Sequence, residues 1–103
     1  TPEAQILFDA DKLDAIGAIG VARAIAFSLQ ARQPVYSHPS PRFLQTGQLE
    51  VGEAHTAYHE YLFKLSKLKE RLYTPAARQV AEGRHVAMAQ FFEELAAEID
   101  ATR

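Results

Sequence analysis

Apolar residues recur at steps of three and four through the first third of the chain, which is the spacing of one face of an α-helix. The positions on this face are Ile6, Ala10, Leu13, Gly17, Val21, Ala24 and Ser28. A second strip is formed by Ile16, Ile19, Arg23 and Phe27. Because apolar groups lie on more than one side, we predict one central helix, from the Thr1-Pro2 start to about Arg32, packed against several neighbours.

Two glycines lie inside this predicted helix. Gly17 and Gly20 each lower helix propensity by roughly 1 kcal/mol relative to alanine. Close approach by a neighbouring helix would offset that cost, and interruption of the helix by a loop is the competing explanation.

The second half of the chain predicts two further helices. The first runs from about Ala54 to Leu72 and has an apolar stripe of Tyr58, Tyr61, Leu62, Leu65, Leu68 and Leu72. The second begins at Thr74-Pro75, a cap residue followed by proline, and runs to about Ala101. Its stripe is Val80, Met88, Phe91, Phe92, Leu95 and Ile99. Ala77 and Ala81 extend this stripe less decisively, because Arg84 interrupts the face.

Between these parts, residues 33–53 contain three prolines and two glycines, and we predict no regular helix there. Such a long connection is typical of a lid, a binding loop or a mobile segment. With no segment of strand period, the predicted fold is an all-α helical bundle.

Composition narrows the classes of function. The chain has 103 residues, enough for one domain at most, and its net charge of −2 provides no basic field for a nucleic acid polymer. It contains no cysteine, which excludes disulfides and thiolate metal sites and fits a cytoplasmic setting. No apolar run approaches the roughly 20 residues that span a bilayer, so we expect no membrane partner.

Three aspartates fall within the stretch "FDADKLD". On a helix Asp11 and Asp14 would share one face beside a floor of alanines, and two such carboxylates repel each other unless a cation or a proton lies between them. A divalent metal or a hydrogen-bond donor from another helix would resolve the conflict. A solvated helix turn, or ordinary salt bridges with Lys12, is the alternative, and spacing alone favours it.

These residues resemble a known family. "DADKLDAIGAIGVARA" is similar to the last motif of the HD-domain metal-dependent phosphohydrolases, most closely to the small stand-alone bacterial proteins that act on nucleotides. The stretch from "TAYHEYLFKLSKLKERLY" to "RHVAMAQFFEEL" also resembles that subgroup, more loosely. The resemblance covers residues 5–99.

The resemblance implies a divalent metal ion (Mn, Mg, Fe or Zn), with Asp11 as its last protein ligand. It implies that Asp14 assists catalysis beside the metal, and that Lys12, Arg23 and Lys64 contact the substrate. That substrate would be a small phosphorylated molecule, most simply a nucleotide. The metal would activate a water molecule and neutralise phosphoryl oxygens during hydrolysis.

The chain also departs from the family. The family's first His and its His-Asp pair have no match here, and the subgroup has a His at the position of Glu60, one residue after His59. We therefore expect residues 1–103 to be the C-terminal portion of an HD domain, inactive alone, with the other ligands encoded upstream. The alternative is a non-catalytic helical module that binds a protein partner through its apolar stripes. A homodimer would fit either interpretation.

Overall fold

The computed structural model describes residues 1–100, and within them every regular element is helical. The elements are α1 (Pro2–Leu13), α2 (Gly17–Gln30), α3 (Pro41–Thr46), α4 (Ala57–Phe63), a 3₁₀ helix (Leu65–Arg71) and α5 (Pro75–Ile99). The predicted all-α class is confirmed. The predicted end of the last helix, near Ala101, lies outside the described residues.

The single helix predicted from Thr1 to Arg32 is wrong, because the chain bends by 68° between α1 and α2. Gly17 begins α2 with φ +76°, a left-handed conformation that favours glycine, and the side chain of Arg84 packs against it. A side chain on Gly20 would collide with the carbonyl group of Ala15. Interruption of the helix by a loop, which we gave as the competing explanation for the two glycines, is therefore correct.

Two arginines hold this bend. Arg84 of α5 donates from Nη1 to the carbonyl oxygen of Leu13 at 2.7 Å, and Arg23 of α2 donates from Nη1 to that of Asp14 at 3.1 Å. The carbonyl groups at a helix C-terminus have no partner within the helix, so these side chains satisfy groups that the bend leaves open. The angle between α1 and α2 is thus set by charged donors from two directions.

Residues 33–53 do contain a helix, contrary to our prediction. The Ser40 side chain accepts a hydrogen bond from the Phe43 backbone amide at 3.0 Å and caps the start of α3. Gly47, with φ +77°, ends it in the left-handed conformation. The ring of Phe43 is buried 4.6 Å from that of His59, so the segment packs onto α4.

The carboxylate of Glu53 fastens this segment. It accepts hydrogen bonds from the Ser40 amide and hydroxyl and from the Glu50 amide, each at 2.7 Å, and it contacts Nε2 of the buried His59 at 2.8 Å. Burial alone would raise the pKa of the Glu53 carboxyl. The hydrogen bonds from Glu50, Ser40 and His59 outweigh burial and lower the pKa from 4.5 to about 2.

We expect Glu53 to make the fold sensitive to acid. Because its pKa is lower in the folded state, its stabilisation is complete above about pH 4.5 and is lost as the pH falls towards about 2. Glu53→Gln should therefore lower the melting temperature at pH 7, and this difference from the unmodified protein should shrink at pH 3. Thermal unfolding at both pH values measures it. Glu50→Gln, at a nearby exposed acid, is the control; an equal Glu53→Gln effect at both pH values would contradict the assignment.

The helix predicted from Ala54 to Leu72 is two elements. Thr56 caps α4 by accepting from the His59 amide at 3.1 Å, while the His59 ring accepts in turn from the Thr56 amide. Beyond Lys64 the chain tightens into the 3₁₀ helix. The predicted stripe does face the core, with its most buried members being Tyr61, Leu65, Leu68 and Leu72.

Small residues, rather than large ones, line much of the buried face of α5. Ala77 and Ala81 are buried together with Met88 and Phe92, and Arg84 continues the same face. The predicted stripe is correct for Met88 and Phe92 and wrong for three exposed positions, which are Val80, Phe91 and Ile99. The alanines allow α5 to pack closely along α2, its principal neighbour.

One of the three aspartates is structural. The Asp9 side chain is buried, and its carboxylate accepts from the backbone amides of Tyr73 and Thr74 at 2.9 and 2.8 Å. Burial raises the pKa of Asp9, but these hydrogen bonds and the charge of Arg78 bring the pKa below its ordinary value. Asp9 thereby joins α1 to the start of α5, and sequence reasoning gave it no role.

None of the helices in residues 1–100 is by itself long and apolar enough to cross a membrane. Only α1 and α2 taken together reach the required length and composition, across their 68° bend.

Candidate functional site

Four of the five predicted site residues meet at one cavity. It has a volume of about 220 Å³ and lies between α1, α2, α4 and the 3₁₀ helix. We call it the Asp11 cavity; its lining is Asp11, Lys12, Ala15, Gly20, Arg23, Ala24, Phe27, Glu60, Lys64, Leu65 and Leu68. The bend between α1 and α2 is what brings Asp11 and Arg23 to the same opening.

Asp11 stands at the mouth of this cavity. Its side chain is 77% exposed, and the ion pair with Lys12, at 3.7 Å, joins it to the next residue in the chain. The carboxylate is thus at the cavity but directed into open space, unlike the buried carboxylate of Asp9. An exposed carboxylate oxygen beside a cavity can bind a cation without losing protein hydrogen bonds.

Three cations surround the same opening. The ammonium of Lys12 lies 5.3 Å from the ring centroid of Phe8, and Arg23 uses one guanidinium nitrogen for the carbonyl oxygen of Asp14. Lys64 ends α4, with Nζ 3.9 Å from a carboxylate oxygen of Glu60. Amines and guanidinium groups in this arrangement are suited to several oxygens of one polyphosphate.

Glu60 is a member of the cavity that sequence reasoning missed. One of its carboxylate oxygens lies near Lys64, and the other contacts Nε2 of His55 at 2.9 Å. The i,i+4 spacing of Glu60 and Lys64 was a signal for their ion pair. No local signal indicated that their side of α4 faces α2.

Asp14 is the predicted site residue that does not line the cavity. It follows the last turn of α1, with one carboxylate oxygen 3.6 Å from Arg84. Asp11 and Asp14 therefore have different neighbours, Lys12 and Arg84, instead of sharing one cation. A catalytic role for Asp14 stays a prediction.

The residues present fit one ligand of a divalent metal. A carboxylate oxygen suits Mg²⁺ and Mn²⁺ and is also a ligand for Zn²⁺ and Fe²⁺. Within residues 1–100, no three His, Asp or Glu side chains lie close enough together to hold an ion among themselves. Further ligands would have to come from outside the described part of the chain, as the resemblance implies.

A second cavity adjoins the first along α2. It has a volume of about 370 Å³, and we call it the Phe27 cavity; its lining is Ala24, Phe27, Ser28, Ala31, His55, Thr56 and Glu60. The two cavities share Ala24, Phe27 and Glu60. They form one groove between α2 and α4. A broader depression of about 920 Å³ lies on α5, but all its lining residues belong to that single helix, so it is open helix surface.

No family profile matches the sequence. A curated relative does match, the uncharacterized protein YpgQ of Bacillus subtilis, with 36% identity over 97 residues that cover 94% of this chain and 40% of YpgQ. The crystal structure of YpgQ superimposes with a TM-score of 0.78 at 32% identity, covering 96% of this chain and 45% of the crystallised chain. YpgQ has also been crystallised in complex with ADP.

A further solved structure has a family description. It is an HD-superfamily hydrolase from Bacillus thuringiensis, 34% identical, with a TM-score of 0.75 over 98% of this chain. Over nearly its whole length, the chain is similar to this HD-superfamily protein. The resemblance that the aspartate motif indicated is thereby confirmed. The chain spans less than half the length of the relatives named here, 40% of curated YpgQ and 48% of the Bacillus thuringiensis protein.

Proposed function

We propose that this chain forms one wall of the active site of a metal-dependent phosphohydrolase that acts on nucleotides. In this proposal residues 1–103 are the C-terminal portion of an HD domain. The family supports phosphoryl hydrolysis, and the ADP complex of YpgQ supports a nucleotide as the ligand. By full-length protein we mean this chain together with any segments encoded before and after it.

The observation that carries the proposal is the convergence of Asp11, Lys12, Arg23 and Lys64 on the Asp11 cavity. These residues come from α1, α2 and the end of α4, so the fold, not proximity in the sequence, brings them together. A metal ligand beside several cations is the arrangement that phosphoryl transfer requires.

Each residue has a separate task in this proposal. Asp11 would hold a divalent metal, which supplies activation of water and neutralisation of phosphoryl charge when it is bound. Lys12, Arg23 and Lys64 would bind phosphate oxygens and stabilise the charge that develops on them during bond cleavage. Because Arg23 is also fixed by the Asp14 carbonyl oxygen, its guanidinium group is held in place before the substrate arrives.

Asp14 enters the proposal as a positioning residue. Its contact with Arg84 lies at the bend that sets the direction of α1, and Arg84 also donates to the Leu13 carbonyl oxygen. A change at Asp14 would therefore reach the catalytic centre through the placement of Asp11. We expect Asp14→Asn to reduce the hydrolysis rate more than it reduces the metal content.

The test of the proposal is a hydrolysis assay of the full-length protein. Nucleoside mono-, di- and triphosphates are each supplied with Mn²⁺, Mg²⁺, Fe²⁺ or Zn²⁺. We expect phosphate or pyrophosphate release that requires one of these metals and stops when a chelator is added. Absence of hydrolysis with every nucleotide and every metal would overturn the proposal.

Within this assay Lys64→Ala should raise KM for the best nucleotide roughly 10- to 100-fold, since it removes a charged hydrogen bond to phosphate. Lys67→Ala is the matched control, because Lys67 lies one turn further on, outside the Asp11 cavity, where its ammonium packs 5.4 Å from the ring centroid of Phe63. Equal KM values for the two variants would remove Lys64 from the phosphate site.

A non-catalytic interaction module is the second candidate, and the surface of α2 favours it. Ile19 and Leu29 are more than half exposed on a helix that is apolar on most sides. A helix of that kind is normally covered by neighbours. If the assay shows no hydrolysis, this surface becomes the leading site for a protein partner.

A further inference from the structure

The groove between α2 and α4 divides into two chemically different halves. The Asp11 cavity contains the side chains of two lysines and an arginine beside one aspartate and one glutamate. The Phe27 cavity contains no lysine or arginine, and its lining combines an aromatic ring, an imidazole ring, hydroxyl groups, small residues and the carboxylate of Glu60, which both cavities share. A ligand that occupies both halves must therefore be polyanionic at one end and uncharged and partly apolar at the other.

Phe27 is the most distinctive side chain of the Phe27 cavity, and it also borders the Asp11 cavity. It is 64% exposed, although it lies on a helix whose next residue, Ser28, is buried. An exposed aromatic face that borders a cavity is a platform on which a flat ring can stack, and every nucleobase has such a face. The cavity is also within the range of roughly 300–1,000 Å³ that is usual for small-molecule sites.

His55 provides a polar group in the same cavity. Its Nε2 contacts Glu60 at 2.9 Å, and this contact restricts rotation of the imidazole ring. Its other ring nitrogen can exchange hydrogen bonds with polar atoms at the edge of a base. Glu60 also borders the cationic half through Lys64, so it lies where the two halves meet.

Resting on the proposed function, we infer that the Phe27 cavity is the nucleobase site of this protein. The base stacks on Phe27 with its edge towards His55, and its phosphates extend into the Asp11 cavity. The sugar then lies beside Glu60, whose carboxylate can accept hydrogen bonds from sugar hydroxyl groups. This arrangement uses the whole groove and assigns the base a site that contains no charge from lysine or arginine.

The experiment compares a nucleotide with a probe that has no base. In the full-length protein, KM is measured for a nucleoside triphosphate, and inorganic triphosphate is titrated as a competitive inhibitor. Phe27→Ala should raise KM for the nucleotide roughly 5- to 100-fold, the range expected for loss of one stacked base. The inhibition constant of inorganic triphosphate should stay within about twofold of its original value, because the phenyl ring of Phe27 borders both cavities but has no charge and no hydrogen-bond donor for phosphate oxygens.

Two further variants support the comparison. Phe27→Leu keeps an apolar side chain, preserves packing and removes only the aromatic face, so it should also raise KM for the nucleotide. Phe91→Ala removes a partly exposed phenylalanine of α5 that lines neither half of the groove, and it should change neither constant.

The outcomes distinguish failure of the base site from failure of the phosphohydrolase proposal. An unchanged KM in both Phe27 variants would overturn the base site, and so would an equal rise in KM and in the inhibition constant. If the unmodified protein hydrolyses no nucleotide at all, the phosphohydrolase proposal itself fails, and the base site fails with it.

Discussion

The Asp11→Ala variant of the full-length protein should lose its bound divalent metal, and its rate of nucleotide hydrolysis should fall at least about a thousandfold. Changes to groups that merely support a metal ligand already reduce affinity or activity by roughly 10- to 100-fold, and Asp11 is proposed as a ligand itself. Metal content by elemental analysis and kcat with a nucleoside triphosphate are the two measurements. Both should fall together, because the phosphoryl charge is neutralised by the ion that Asp11 holds.

Asp14→Asn is the matched control for the measurement of metal content. Asp14 is an exposed carboxylate three residues further along, and it contacts Arg84 instead of the Asp11 cavity. The Asp14→Asn variant should retain its metal content. An Asp11→Ala protein that keeps both metal and activity would exclude Asp11 from the metal site, whatever the result at Asp14.

Asp9→Ala should be the most destabilising single change among the three aspartates, lowering the melting temperature by roughly 10 °C or more. The substitution leaves the backbone amides of Tyr73 and Thr74 without their acceptor at the start of α5, and buried unpaired donors are strongly unfavourable. Thermal unfolding in the presence of a chelator measures the effect without a contribution from bound metal.

The control for Asp9 is Asp11→Ala under the same conditions. Asp11 is two residues away on the same helix, and its exposed side chain makes no comparable backbone contact in the described structure. Its melting temperature should stay close to that of the unmodified protein. Equal losses of stability in the two variants would contradict the division of this motif into a structural acid and a metal-binding acid.

Helix starts were predictable because they depend on neighbours in the chain. Thr1 and Thr74 cap α1 and α5 as their Thr-Pro pairs indicate. Ser40-Pro41 has the same signature, and Gly47 marks the end of that helix, yet the density of prolines favoured a loop in our interpretation. The information for α3 was therefore present in the sequence and was outweighed by composition.

The bend after α1 was only partly predictable. The glycines raised the question of an interruption, but the donor that satisfies Leu13 is Arg84, 71 residues later in the chain. In α5, the predicted stripe favoured the larger residues Val80 and Phe91, whereas the close approach to α2 places Ala77 and Ala81 inside. Packing distance between helices is a tertiary property that hydrophobic periodicity does not record.

The candidate site was likewise only partly predictable from the sequence. Asp11, Lys12 and Arg23 came from one motif, and Lys64 came from the looser second stretch of the resemblance. The contribution of Glu60, and the adjoining cavity at Phe27, depend on how α4 faces α2 and had no local signal. Asp9 was missed because the amides it caps are 64 and 65 residues away.

Anomalous diffraction from crystals of the full-length protein grown with Mn²⁺ tests the central claim most directly. We predict a manganese peak bound to a carboxylate oxygen of Asp11, at the mouth of the cavity that also contains Lys12, Arg23 and Lys64. A manganese ion held entirely by other residues, with the Asp11 carboxylate directed into solvent, would contradict the account.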